Sequence, residues 1–251
     1  MKRFLRSTPL VFLSFWLTAV QADVTVYTAA LIRTLEPALP EATAVAVEDG
    51  RIVSVGSLED MEPVLRLRGG QIDRRFESRV LVPGFIDPHV HPSLPAILTQ
   101  FPFLAPDDWS LPTGEFPGAT TPDAYKSRLQ ALAAEHTDPD TPFITWGYHP
   151  LWHGEVWRDD LNQWFGDQPV MIWHRSFHEI IGNDAAWAML GVTAEDAALT
   201  PEANWERGHF YEGGLKAVVA KLRFLFEPAR FGKGMQTFLT MMPQSGVNPA
   251  L

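Results

Sequence analysis

The sequence predicts an α/β protein in which a small β segment precedes a core of strands alternating with helices. Three observations predict it. Residues 23–82 hold short, β-branched, partly alternating runs, whereas from Pro83 onward apolar runs introduced by Pro or Gly alternate with runs of helical period. The 251-residue chain, 46% hydrophobic and 20% charged, also has the composition of a globular protein. Its net charge of −10 argues against nucleic acid or an anionic lipid surface as partner, because both need a positive face. A small molecule is the expected ligand.

The elements follow in order. Lys2, Arg3 and Arg6 precede the apolar run from Pro9 to Val20, and Val20-Gln21-Ala22 puts small residues at the −3 and −1 positions of a cleavage site. Residues 1–22 therefore read as a secretory signal, too short in its apolar part for the roughly 20 residues of a membrane span. Cleavage removes three basic groups and shifts the charge from −10 to −13. The product is expected to be periplasmic or secreted and free of the membrane. With no cysteine, it carries neither a disulfide nor a lipid-anchor thiol.

Val24 to Tyr27, Ala44 to Glu48, Arg51 to Val55 and Val80 to Val82 read as strands, with Asp49-Gly50 as a hairpin turn. Ser57 to Arg66 has helical spacing, although Pro63 argues against an uninterrupted helix. Beyond Pro83, Gly84 to Asp87, Pro142 to Trp146 and Pro169 to Trp173 read as buried strands. Thr121 and Asn183 are in position to cap helices, and Gly191 to stop the second. Leu215 to Phe226 and Phe231 to Met242 have helical spacing, and the Pro- and Gly-rich stretch from Phe101 to Pro122 reads as a long loop.

Chemistry concentrates in Pro83-Gly84-Phe85-Ile86-Asp87-Pro88-His89-Val90-His91. On an extended strand His89 and His91 face the same side, with Asp87, so two imidazoles can converge on one divalent ion. Two histidines at the end of a buried apolar strand would need such a reason to be desolvated.

VLVPGFIDPHVH, preceded by AVAVEDGRIVSVGSLED, resembles the first barrel strand and N-terminal β-sandwich segment of the amidohydrolase superfamily. Asp159-Asp160-Leu161, Pro169-Val170, His178, Asn183, Leu190-Gly191 and Gly208 to Glu212 follow in the order seen in its family 3 branch. The resemblance implies a (β/α)8 TIM-type barrel, incomplete in this chain, with residues 23–82 as sandwich segment and 83–251 as the first part of the barrel. It also implies one or two divalent ions, zinc foremost, of which His89 and His91 supply the first ligands. The metal would lower the pKa of a bound water to about 7 and polarise a carbonyl, hydrolysing a non-peptide C–N bond of amide or formamide type.

A complete barrel takes about 250 residues, more than lie between Gly84 and Leu251. The later histidines and the last-strand aspartate of the family pattern do not occur, so this chain alone is expected to be inactive. Two ligands fall short of the three that a catalytic zinc takes from protein. The alternatives are an inactive secreted binding or regulatory relative, for instance in exoenzyme production, and a non-functional fragment.

Four residues are candidates for substrate binding. His178 fits a pocket or core packing, Asn183 a pocket or a helix cap, Glu212 a substrate contact or a solvated loop acid. His149, near His153 in Tyr148-His149-Pro150-Leu151-Trp152-His153, fits a pocket lining or an exposed loop. His136, His174 and His209 belong to no constellation legible in the sequence. Exported protein is expected to begin at Asp23, which N-terminal sequencing checks; a start at Met1 would reject the signal.

Overall fold

A computed structural model describes residues 24–248. The signal segment lies outside the described residues. The chain divides after Gly84 into two compact units.

In the first unit β1 (Thr25–Arg33), β2 (Glu41–Glu48), β3 (Arg51–Gly56) and, after α1 (Glu62–Arg68), β4 (Gln71–Leu81) form one sheet in the order β3-β2-β1-β4. Neighbours are antiparallel except β4, which runs parallel to β1. Asp49 and Gly50 both take positive φ, as the tight hairpin between β2 and β3 requires. Val24, Val26, Ala44 and Ala46 pack on the fully buried Met61. Pro63 is the second residue of α1, in the first turn, where its missing N–H breaks no helical bond. The described residues form a single sheet here, not the two facing sheets of a sandwich. β4 begins nine residues before the Val80 at which the sequence signals a strand. Its charged side chains, tied in pairs such as Asp73 with Arg75 and Arg74 with Glu77, interrupt the alternation.

The second unit runs β5 (Phe85–Ile86), α2 (Ser93–Leu98), β6 (Trp109–Leu111), β7 (Gly114–Phe116), α3 (Pro122–Ala134) and β8 (Phe143–Tyr148). Then come α4 (Pro150–His153), α5 (Arg158–Phe165), β9 (Val170–His174), β10 (Glu179–Gly182), α6 (Asp184–Leu190) and α7 (Ala194–Ala198). β11 (Ala203–Asn204), β12 (His209–Tyr211), α8 (Gly213–Lys221), α9 (Pro228–Gln244) and β13 (Val247–Asn248) complete it. The main sheet has the order β11-β12-β10-β9-β8, while β5 pairs with β13 and β6 with β7.

Only β8 and β9 are parallel in the main sheet, and among the described residues no sheet closes into a barrel. The parallel sheet that a (β/α)8 barrel would require fails at β10 for a geometric reason. Four residues, Arg175 to His178, link it to β9, and a parallel crossover needs a dozen or more. The expected loop from Phe101 to Pro122 contains the β6–β7 hairpin, and Phe103 bridges to Trp146 and packs on Trp109 and Phe116.

Both faces of the main sheet are buried, and the period of two divides it except where the register of β8 shifts after Trp146. Phe143, Tyr148, Val170, Ile172 and Ile181 pack with Tyr125 and Leu129 of α3 and Leu161 of α5. Ile144, Trp146, Met171, Trp173 and Ile180 face Ile97, Trp187, Leu215 and Val218 on the other side. Thr121 caps α3 by accepting from the Ala124 amide, with Pro122 at its first position. Gly147, at φ 119°, shifts the β8 register between Trp146 and Tyr148, and a Cβ there would lie 2.7 Å from Ala105.

Asn183 holds the start of this sheet. Its Oδ1 accepts from the amides of Val170 at 3.0 Å and Ala186 at 3.0 Å, and its Nδ2 donates to the Gln168 carbonyl at 2.8 Å. It is wholly buried. Asn183→Ala should cost roughly 3 kcal/mol by leaving two amides and a carbonyl without partners, measured by urea unfolding. Asn183→Asp keeps the two accepting bonds yet should also destabilise, because it loses the donor and buries a charge. A loss below about 1 kcal/mol for Ala would show that water replaces the side chain.

Candidate functional site

Three groups of polar side chains stand out in the second unit. The first is the histidine turn after β5. The Asp87 carboxylate accepts from the His89 amide at 3.0 Å, which folds the turn and brings the rings of His89 and His91 edge to face, centroids 4.7 Å apart. Their Nε2 atoms lie 3.0 Å apart. One ion about 2.0–2.1 Å from each nitrogen can span that separation. The surroundings differ from the expectation: both histidines are exposed, and Phe85 and Ile86 are 63% and 71% exposed. β5 is an exposed two-residue strand, so desolvation does not explain the pair and convergence alone supports it. With one oxygen of Asp87 engaged by the turn, no group of three or more His, Cys, Asp or Glu side chains among the described residues is arranged to hold a metal. The donors present fit two positions of a metal shell and do not complete one.

The second group joins two candidates that are far apart in sequence. His178 Nδ1 lies 3.0 Å from Glu212 Oε1, and the Glu212 amide donates to the His178 carbonyl at 2.8 Å. β10 and β12 dictate this meeting, because their antiparallel register sets Glu179 opposite Tyr211 and so brings the residues flanking them together. Phe177 and Glu212 take φ of 69° and 46°, a left-handed conformation that costs about 1–2 kcal/mol per residue with a side chain. The pair lines a cleft of about 600 Å³ walled by Leu94, Phe177, Leu215, Val219 and Phe226. Leu94 also donates its amide to the His91 carbonyl at 3.1 Å, linking the cleft wall to the histidine turn.

The third group was not legible in the sequence. His209 Nε2 lies 2.8 Å from Glu179 Oε2, the other oxygen of Glu179 is 3.9 Å from His174 Nδ1, and the His174 ring is 5.1 Å from that of His149. His174 Nδ1 accepts from the Ser176 amide at 3.0 Å. Burial pushes the His174 pKa down, with Glu179 acting in the opposite sense. Strand pairing is the missing signal. Only the β9–β10–β12 register brings positions 174, 179 and 209 together.

His149 is half-buried in this group and caps α4 by accepting from the Leu151 amide at 3.2 Å. Asn183 lies at the other end of β9, with its side chain committed to backbone groups, so the cap reading describes its position and the pocket reading does not. His153 is 1% exposed, stacks on Tyr125 at 4.1 Å and is 2.8 Å from the Ala119 carbonyl through Nε2 while Nδ1 accepts from the His149 amide. This fixes it as a neutral ring protonated on Nε2.

No family model matches the sequence. Over 112 residues, 45% of the chain, it is 30% identical to the exoenzymes regulatory protein AepA of Pectobacterium carotovorum subsp. carotovorum, a stretch covering 22% of that protein. Its fold is similar to the crystal structure of an uncharacterized metal-dependent hydrolase from Pyrococcus horikoshii OT3, with TM-score 0.61 and 18% identity over 90% of this chain and 42% of that one. A second, from Pyrococcus furiosus, gives TM-score 0.58 and 15% identity over 89% and 43%. The chain thus has a fold found in metal-dependent hydrolases and spans less than half the length of each of these relatives.

Burial brings the His153 pKa down to about 4 from its ordinary 6.5. The unfolded chain then binds a proton that the folded one refuses, so this contribution to stability is complete above pH 6.5 and is lost as pH falls towards 4. Its size is about 3 kcal/mol. Urea unfolding at pH 7.5, 6.0 and 4.5 should show a steep fall in wild type and a flatter one in His153→Gln. Equal slopes would assign the acid sensitivity elsewhere.

Proposed function

We propose that the chain corresponds to the first part of an exported metal-dependent hydrolase acting on non-peptide C–N bonds of amide or formamide type. The observation that carries the reading is the 3.0 Å convergence of His89 and His91 Nε2 on the turn that Asp87 folds. The hydrolase fold of the relatives supports it. In this reading both Nε2 lone pairs hold a divalent ion, zinc foremost. His178 and Glu212 contact a small-molecule substrate at the cleft mouth, and the half-buried His149 follows β8 at the same end of the sheet.

Because the described residues offer no third metal donor, we assign no hydrolytic step to this chain alone. A second reading follows from that shortfall and from the 30% identity to an exoenzyme regulatory protein: a secreted relative that binds a ligand or partner without turnover. Among the described residues no helix is long and apolar enough to cross a membrane.

Metal titration separates the readings. Wild-type chain loaded with cobalt(II) or zinc(II) and assayed by calorimetry and elemental analysis should bind one ion, and His89→Ala/His91→Ala should bind at least tenfold more weakly. Turnover of an N-formyl amine should be undetectable in both. No metal binding by folded wild type, or equal binding by the double variant, would reject the metal role and leave the binding reading.

A further inference from the structure

The histidine turn offers half of a metal shell. His89 and His91 bring their Nε2 atoms to 3.0 Å, and no further His, Cys, Asp or Glu side chain among the described residues is arranged with them to hold an ion. A structural zinc takes four protein donors in a tetrahedron, so two positions are left for donors from elsewhere. Every residue from Pro83 to Ser93 is exposed, which leaves the turn open to a second molecule.

The surroundings of the turn suit a copy of the same chain. Phe85, Ile86 and Val90, at 63%, 71% and 43% exposure, put apolar area on the turn and on the strand that leads into it. β5 pairs with β13 along one edge, and among the described residues no strand lies on its other edge. Asp87 is the one acidic or basic side chain, histidines aside, between Pro83 and Gln100. With the histidines neutral, as metal ligands are, the Asp87 carboxylates of two such turns cancel the charge of one divalent ion. Without an ion the copies repel, because each carries a net charge of −10.

We propose that one divalent ion joins two copies of this chain across a twofold axis, with His89 and His91 of each copy as its four donors. A twofold interface sets the same patch against itself, so a shell with two donors per chain closes at four and the assembly stops at two chains. This rests on the reading of His89 and His91 as metal ligands and names the partner that fills the remaining positions. Metal in excess removes the need to share. Each chain then holds an ion of its own, with water in the open positions, and the pair separates.

Sedimentation velocity on the purified chain, titrated with zinc(II), tests this. The mass should double at half an equivalent of zinc(II) and return to that of one chain in large excess or on adding EDTA. Elemental analysis of the doubled species should give one ion per two chains. Cobalt(II) in place of zinc(II) should show intense tetrahedral visible bands at half an equivalent. His89→Ala/His91→Ala, altered at exposed side chains of low folding risk, should remain a single chain throughout. A wild-type mass that never doubles while metal binds rejects this inference and leaves the metal reading standing. The inference is equally overturned by doubling without metal, by doubling of the double variant, by one ion per chain in the doubled species, or by a mass that rises beyond two chains. A folded chain that binds no metal at all rejects the metal reading and this inference with it.

Discussion

The Asn183 side chain ties three backbone groups together: the amide that begins β9, the carbonyl just before it, and the buried Ala186 amide in the first turn of α6. A buried amide with this many backbone partners admits one register. A slip of one residue would turn every side chain of β9 to the opposite face and exchange the two halves of the core. Because β9 pairs with β8 on one side and β10 on the other, the positions of Tyr148, His174 and Glu179 all follow from it. The polar groups at one end of the sheet thus depend on hydrogen bonds made at the other.

The sheet separates two kinds of work. Its faces are filled with aromatic and branched side chains, and its ends carry the titratable groups. His149, His174 and Glu179 stand where β8 and β9 finish and β10 starts, partly shielded from water, while His178 and Glu212 stand further out over an apolar hollow. Burial is what distinguishes the histidines. His153, sealed between Tyr125 and the Ala119 carbonyl, is locked neutral, whereas His89 and His91, on an exposed turn, keep both rings accessible.

Much of the local structure was legible in the sequence because it rests on local rules. The Thr121 and Asn183 caps, the Asp49-Gly50 turn, the Gly191 stop at φ 61° and the two central strands need only neighbours in the chain. Three things were not. The charged strand β4 hides its alternation behind ion pairs made along its own length. The antiparallel return of β10 depends on a four-residue link whose length matters only once both ends are known to be strands. The His174–Glu179–His209 group depends on register, which no single segment encodes. Among the candidates, His178, Asn183 and Glu212 all belong to the one family-like series; strand register sets His178 against Glu212, while the Asn183 side chain caps α6.

The pairing of β5 with β13 carries a consequence for the order of folding. These two short strands come from opposite ends of the second unit, so their contact closes a loop containing nearly all of it. Such a closure is entropically costly and is rewarded by only two residues on each side, both mostly exposed, so it cannot nucleate the fold. β5 and the histidine turn attached to it settle after the main sheet has drawn the chain together. The turn that brings His89 and His91 into convergence is consequently among the last parts to become ordered and, being anchored by two short and mostly exposed strands, among the first to open in the native ensemble.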